Sequence, residues 1–210
     1  MKMIRIIPLM LVALITFTAC NNDKKAEKEK MEMEQKQADE TAMKEAEMKE
    51  TKMREDRAKA EANSISAKTM GSEDLSTLNG ALVAADLEPM LKAEGSYTVF
   101  APSNNAFSKL PEGTVENLMK PENKEMLKSV LQYHVVPGVI TSDRLVTAIK
   151  GNGGNYTFQN VNGDELTAMM DGDQIVIRDG RNKRAHVVQG NIEASNGIVH
   201  VVDNVIMAKK

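Results

Sequence analysis

The chain has 210 residues, 27% of them charged and only 3% aromatic, with no tryptophan, one cysteine and a formal net charge of −3. An acidic balance with so few aromatic side chains offers neither the basic footprint nor the stacking surface of a nucleic-acid-binding protein. A lone thiol also excludes an internal disulfide framework and a cysteine-rich metal site.

Lys2 and Arg5 precede an almost purely apolar run over residues 6–17, broken only by Pro8 and Thr16. That run is too short for a stable bilayer span and predicts a secretory signal. Phe17-Thr18-Ala19-Cys20 then resembles the lipobox of bacterial lipoproteins, with Phe17 where leucine is more usual. The resemblance implies a signal peptide over 1–19, cleavage before Cys20, and lipid attachment there that ties the protein to a membrane of the bacterial cell envelope. Loss of Lys2 and Arg5 leaves 27 − 2 = 25 basic against 30 acidic residues, a net charge of −5.

Residues 20–70 form a spacer rich in Lys, Glu, Met and Ala, and from 21 onward it has neither Gly nor Pro. These are strong helix formers. Glu32/Lys36, Glu40/Lys44, Glu45/Lys49, Glu50/Arg54 and Glu55/Lys59 stand in the favourable acid-first order, each pair contributing ~0.2–0.5 kcal/mol. Met43, Met48 and Met53 recur every five residues, which sets them about 140° apart around a helix and builds no seam for a partner. The segment reads as a solvated spacer, helical or disordered, about 70 Å long as helix or on the order of 40 Å as coil. Its methionines suit monovalent copper, but without His or Cys nearby the spacer reading is preferred.

Beyond residue 70, Leu75, Leu78, Leu82 and Val83, then Leu87, Met90 and Leu91, recur at helical spacing up to Gly95. Residues 97–101 read as a buried strand, and Pro102-Ser103-Asn104 as a turn into a short helix carrying Ala106, Phe107 and Leu110, capped by Ser103 or Asn104. Pro121 opens a helix whose inner face is Met126, Leu127, Val130, Leu131 and His134. Another helix spans 142–149, with Leu145, Val146 and Ile149 inward, before Gly151-Asn152-Gly153-Gly154. From residue 155 the period changes to two: strands are expected at 156–159, 165–170, 174–178, 185–189 and 198–202, separated by Asp-Gly and Asn-Gly turns. Helices first and strands afterwards mean an α+β fold.

Three blocks carry a family resemblance: Tyr97-Thr98-Val99-Phe100-Ala101-Pro102-Ser103-Asn104-Asn105-Ala106-Phe107, the pair Tyr133-His134, and residues 191–207 with Asn196-Gly197-Ile198-Val199-His200-Val201-Val202-Asp203 at their centre. In that order they resemble the fasciclin domain family over residues 71–210. The resemblance implies a wedge-shaped β-sandwich with several packed helices, and a module that binds a protein or glycan in adhesion. Animal relatives carry Pro-Asp-Ile before the last block; here Gly190-Asn191-Ile192 lacks the acidic residue, so integrin contact is not carried over.

The candidate sites are weighed as follows. His134, His186 and His200 have no metal-ligand spacing. In the family, Tyr133 and His134 correspond to a hallmark pair discussed as a partner-contacting surface; a hydrogen-bonded structural histidine is the simpler reading. Arg178, Arg181, Lys183 and Arg184 surround Asp179-Gly180 and form a basic hairpin tip that could dock an acidic glycan or lipid headgroup. Asp171 and Asp173, near Asp164-Glu165, read as turn residues rather than calcium ligands. Asn155-Tyr156-Thr157 fits a glycosylation acceptor, which means little in a bacterial chain. Ser103, His200 and Asp203 can be written as a triad, but Ser103 has the context of a helix cap, and no nucleophile elbow or phosphate-binding glycine loop occurs. The expectation is a binding module without catalytic residues, metal or cofactor. Two other readings are a structural or stress-related envelope component acting through the spacer, and a hydrolase.

Overall fold

The computed structural model describes residues 23–208, divided into two compact units between Met53 and Arg54. The segment read as a signal peptide, and Cys20, lie outside the described residues.

Helix α1, Asp23–Ala62, contributes its residues up to Met53 to the first unit and the remainder to the second. It forms without a buried face: each described side chain from Lys28 to Lys59 is exposed. Its stability comes from propensity and from pairs one turn apart, such as Lys44–Glu40 at 2.9 Å and Arg57–Glu61 at 3.0 Å.

In the second unit, after a turn at Asn63, the Ser64 hydroxyl accepts the Ala67 N–H and starts α2, Ile65–Met70. Ile65 is fully buried against Leu75, Leu78 and Leu91. Helix α2 thus packs onto the core from ahead of Gly71, a contact without a sequence signal because one isolated isoleucine in a Ser/Ala/Lys stretch leaves no periodicity.

A 3-10 turn at Glu73–Leu75 leads into α3, Ser76–Ala84, followed by α4, Glu88–Lys92. Leu75, Leu78 and Leu82 face the core as expected, but Val83, one step of about 100° further round, is half exposed. Strand β1, Tyr97–Pro102, is followed by α5, Asn104–Ser108, capped through Ser103 Oγ by the Ala106 N–H at 3.2 Å. Then come α6, Thr114–Leu118, and α7, Lys124–Tyr133. Leu127 and Leu131 fill the inner face of α7, whereas Met126 is exposed rather than inward. Strand β2, Val135–Pro137, and α8, Ser142–Gly151, complete the helical half, with Leu145 and Ile149 buried under α8.

The remaining strands are β3, Asn155–Gln159, β4, Glu165–Asp171, β5, Gln174–Arg178, β6, Arg184–Ala194, and β7, Gly197–Val202. Their order in the sheet is β2-β1-β7-β6-β5-β4-β3. The pairing of β1 with β7 is parallel and the others are antiparallel. Strand β6 serves both halves: Arg184 to His186 pair with β5, and Val187 to Ala194 pair with β7, with shifts of register around Gln189. That irregularity bends the sheet into a wedge. The outer edge of β2 is covered in turn, since the Val161 N–H donates to the Val135 carbonyl at 2.9 Å. The result is a near-barrel.

Because β1 and β7 lie mid-sheet with helices on one side, both their faces are buried. Val99, Ala101, Val199 and Val201 pack under α2, α3 and α4, while Phe100 and Val202 point the other way, toward Tyr133, Leu145, Ile149 and Leu166. Register on this pair is set at its start, where Tyr97 lies opposite Gly197. A Cβ on Gly197, whose φ is +151°, would sit 1.9 Å from the Tyr97 carbonyl oxygen, so only glycine fits. Beside it, Asn196 accepts the Ile65 N–H at 2.8 Å and donates to the carbonyls of Leu91 at 2.8 Å and Ala93 at 2.9 Å. Each of these groups would be costly if left buried and unpaired. We expect Gly197→Ala to prevent stable folding, and Asn196→Ala to lower unfolding stability by about 3 kcal/mol or more, as measured by urea denaturation. An Asn196→Ala chain as stable as the parent would remove Asn196 from this role.

Candidate functional site

Tyr133 and His134 end helix α7, and both are buried, at 1% and 2% exposure. His134 Nδ1–H donates to the Val130 carbonyl at 2.8 Å, and Nε2 accepts the Ile206 N–H at 3.1 Å. Both nitrogens are committed to backbone, and the ring must be neutral to accept. Burial holds its pKa down to about 4. The Tyr133 hydroxyl accepts the Gly180 N–H at 3.1 Å, and burial pushes the phenol up. The structural reading preferred for His134 from sequence fits this geometry: the pair, which the resemblance offered as a possible partner contact, is buried here and braces the α7 exit against Ile206 and Gly180.

His200, on β7, is used in the same way. Its Nε2–H donates to the Ile140 carbonyl at 2.8 Å, Nδ1 accepts the Asn191 N–H at 3.3 Å, and the ring stacks on Phe100 with centroids 5.6 Å apart. Burial lowers its pKa as well. Asn191 takes a left-handed φ of +59°. Its side chain accepts the N–H of Ser142, the first residue of α8, at 2.8 Å. The Gly190-Asn191 departure is therefore a packing element that docks the β6 irregularity onto that helix.

Asp203 accepts the His186 N–H at 2.7 Å and pairs with Lys109 at 3.2 Å. Burial works against its ionisation, but the His186 N–H and Lys109 outweigh it and hold the carboxyl below its ordinary value. Ser103 caps α5, His200 points at Ile140 and Asp203 faces His186 and Lys109, so the three hydrogen-bond to separate partners and make no relay.

The basic hairpin divides by role. Asp179, buried at its base, accepts N–H groups from Arg181, Lys183 and Met207 at 2.8–3.0 Å. Arg181 Nε donates to the Ala208 carbonyl at 2.7 Å, so this arginine straps down the C-terminal segment. Arg178 is partly buried, whereas Lys183 and Arg184 are exposed. Arg184 lies 3.6 Å from Asp171, which also stands 3.7 Å from His186. Lys109, Lys183, Arg184 and Asn204 line one notch of about 280 Å³. Asp171 and Asp173 flank Gly172 in the β4–β5 turn and are exposed; among the described residues no group of three or more His, Cys, Asp or Glu could hold a metal ion. A separate cleft of about 490 Å³ alternates the cations Arg57 and Lys92 with the carboxylates Glu61 and Glu94. Asn196-Gly197 was legible as a turn, but nothing in the spacing of the sequence singled out Asp179 or Asn160, or the Asn196 side chain, as organisers. Asn160 caps its own turn by accepting the Asn162 and Asp164 N–H groups at 2.9 and 3.0 Å, an Asx signature that is legible only once the strands on either side are placed.

An α+β near-barrel whose buried histidines, aspartates and asparagines all hold backbone together is a scaffold that displays loops. Residues 73–208 match the Fasciclin domain family, and the chain belongs to it. That family is non-catalytic in general and is known for adhesion-related roles. Over 148 residues the chain is 42% identical to the protein sll1483 of Synechocystis, covering 70% of this chain and 74% of that one. It is 33% identical over 138 residues to the cell surface glycolipoprotein MPB83 of Mycobacterium bovis, covering 63% of this chain and 55% of the other. Among solved structures it is similar to the FAS1 domain pair of the insect cell adhesion molecule fasciclin I. There the TM-score is 0.63 and the identity 18%, over 69% of this chain and 51% of the insect chain. No helix among the described residues is long and apolar enough to cross a membrane.

The buried histidines predict a pH response. His134 takes up a proton near 6.5 when unfolded but only near about 4 when folded. As pH falls below 6.5 the unfolded chain gains a proton that the folded chain refuses, so stability is full above that pH and is lost between 6.5 and about 4. At pH 5 His134 alone costs about 2 kcal/mol relative to neutral pH, before ordinary carboxylates titrate, and His200 adds to the same slope. Urea midpoints at about pH 7 and pH 5 should show this fall. His134→Gln should be less stable at neutral pH but show a shallower loss.

Proposed function

We propose that this is a lipid-anchored protein of the bacterial cell envelope whose fasciclin domain binds a protein or glycan ligand in adhesion or matrix organisation. The observation that supports it most is the order of parts in one chain. An apolar run ends at Cys20, a charged helix exposed on every side follows, and then comes a fasciclin domain. The description of MPB83 as a cell surface glycolipoprotein points the same way. A lipidated Cys20 with several acyl chains passes the two-signal requirement for stable anchoring, and the charged spacer carries the domain clear of the bilayer.

With Tyr133 and His134 buried, contact falls to exposed loops. A local basic cluster stands at the β5–β6 tip, where Lys183 and Arg184 are exposed beside Arg178, a surface suited to sulfated or uronic-acid glycans. Arg181 is left out of the contact set, since it secures the C-terminal segment.

Cys20→Ser should move the protein from the membrane fraction to the soluble one and abolish incorporation of labelled fatty acid; continued membrane association would overturn the anchor. For the ligand, the mature chain should be applied to an array of neutral and acidic glycans. Lys183→Glu with Arg184→Glu should reduce capture on acidic glycans about tenfold or more, and salt should do the same. Unchanged capture would remove the tip as the binding surface. Deleting residues 24–53, which spares Ile65 and the domain core, separates this reading from one in which the spacer makes the important contacts: adhesion through the domain should weaken only modestly.

A further inference from the structure

Helix α1 contains five methionines, Met31, Met33, Met43, Met48 and Met53, and no leucine, isoleucine, valine, phenylalanine or tyrosine. All five are between 63% and 74% exposed, so none serves packing. Leucine and methionine have nearly equal helix propensity, so helix formation does not account for the exclusive use of one of them. What methionine has and leucine lacks is a thioether sulfur.

Two chemistries use an exposed thioether: soft-metal coordination and oxygen uptake. Coordination needs sulfurs that converge. Here Met31 and Met33 point to opposite sides of the helix, and Met43, Met48 and Met53 step round it by about 140° and along it by about 7.5 Å. On a single helix such sulfurs cannot meet on one ion. Oxygen uptake needs only access, and dispersal over all faces maximises that. It also needs a place where a polar sulfoxide disturbs no core, which a helix with no buried face supplies.

We infer that α1 is a sacrificial oxidant trap, its five thioethers consuming two-electron oxidants such as hydrogen peroxide or hypochlorous acid before they reach neighbouring envelope components. With hydrogen peroxide the sulfur lone pair attacks one oxygen: an S–O bond forms, the O–O bond breaks and, after proton transfer, water leaves. With hypochlorous acid the sulfur takes the chlorine as the Cl–O bond breaks, water then displaces chloride, and the products are the sulfoxide and HCl. In both cases the sulfur is oxidised by two electrons and the oxidant is reduced by two. Methionine sulfoxide reductases reverse the product. This function is independent of the domain's ligand.

The test uses the mature full-length chain and a second chain with the five methionines replaced by leucine, which keeps helix and apolar surface but removes sulfur. With about five equivalents of hypochlorous acid, peptide mass mapping should find a gain of roughly 80 Da, mainly on the five α1 sites. Met126 and Met70, 58% and 45% exposed, should follow, the half-buried Met169, Met170 and Met207 should react last, and the urea midpoint of the domain should stay unchanged. Cells carrying the leucine chain should lose viability at an oxidant dose about twofold lower or less, with membrane attachment and glycan capture intact. Oxidation spread evenly over exposed and half-buried methionines would overturn the inference, and so would equal survival of the two strains.

Discussion

The approach of Gly197 to the Tyr97 carbonyl is the constraint on which the domain depends. It lets β7 lie parallel to β1 from the first residue, and that pair forms the middle of the sheet, buried on both faces. Asn196 then uses its whole amide to bring in the start of α2 and the end of α4. One turn thus sets strand register, helix position and the closing of the helical core. Glycine and asparagine are suited to the task for different reasons. One has no Cβ to clash, and the other has both donors and acceptor on a short arm.

The same economy governs the other polar residues of the interior. His134, His200, Asp179 and Asp203 each satisfy backbone groups that no strand or helix partner reaches. His134, Asp179 and Asp203 occur where the chain leaves regular structure, at the exit of α7, in the β5–β6 turn and after β7, while His200 stands within β7 and reaches across to the irregularity of β6. A buried N–H must find an acceptor, and here side chains supply it. The residues most readily taken for a functional signature are consequently the ones least available to a ligand. The surface left for recognition is loops and charge.

Much of the fold was legible because its signals are local. Alternation marked β3, β4 and β5 closely, the Ser103 cap was readable from its context, and Leu75, Leu78 and Leu82 declared one face of α3. The limits are equally specific. Ile65 enters the core from a polar segment that carries no periodic signal, while Val83 and Met126 sit at the margin of apolar stripes where a small rotation decides exposure. Strand β6 runs longer than expected because its second half, with Gln189 and Gly190 exposed, lies along a bend where alternation fails. At the candidate site, the basic tip was visible in the sequence, but not that Arg181, exposed like Lys183 and Arg184, also straps down the C-terminal segment. That role depends on where the C-terminal segment passes, a contact between residues 27 positions apart. The burial of Tyr133 and His134 depends on Ile206 and Gly180 in the same non-local way.

The position of β7 carries a consequence for how the domain is made. It is the last strand in the chain yet it stands between β1 and β6 in the sheet, and Tyr97 waits 197 − 97 = 100 residues for its partner. Contacts of such long sequence separation form late, because loop closure precedes any gain from pairing. A chain in which residues 197–202 have not yet paired holds β1 and β2 without the strand that joins them to the rest. The domain therefore closes only once residues 197–202 are available to pair with β1 on one side and β6 on the other.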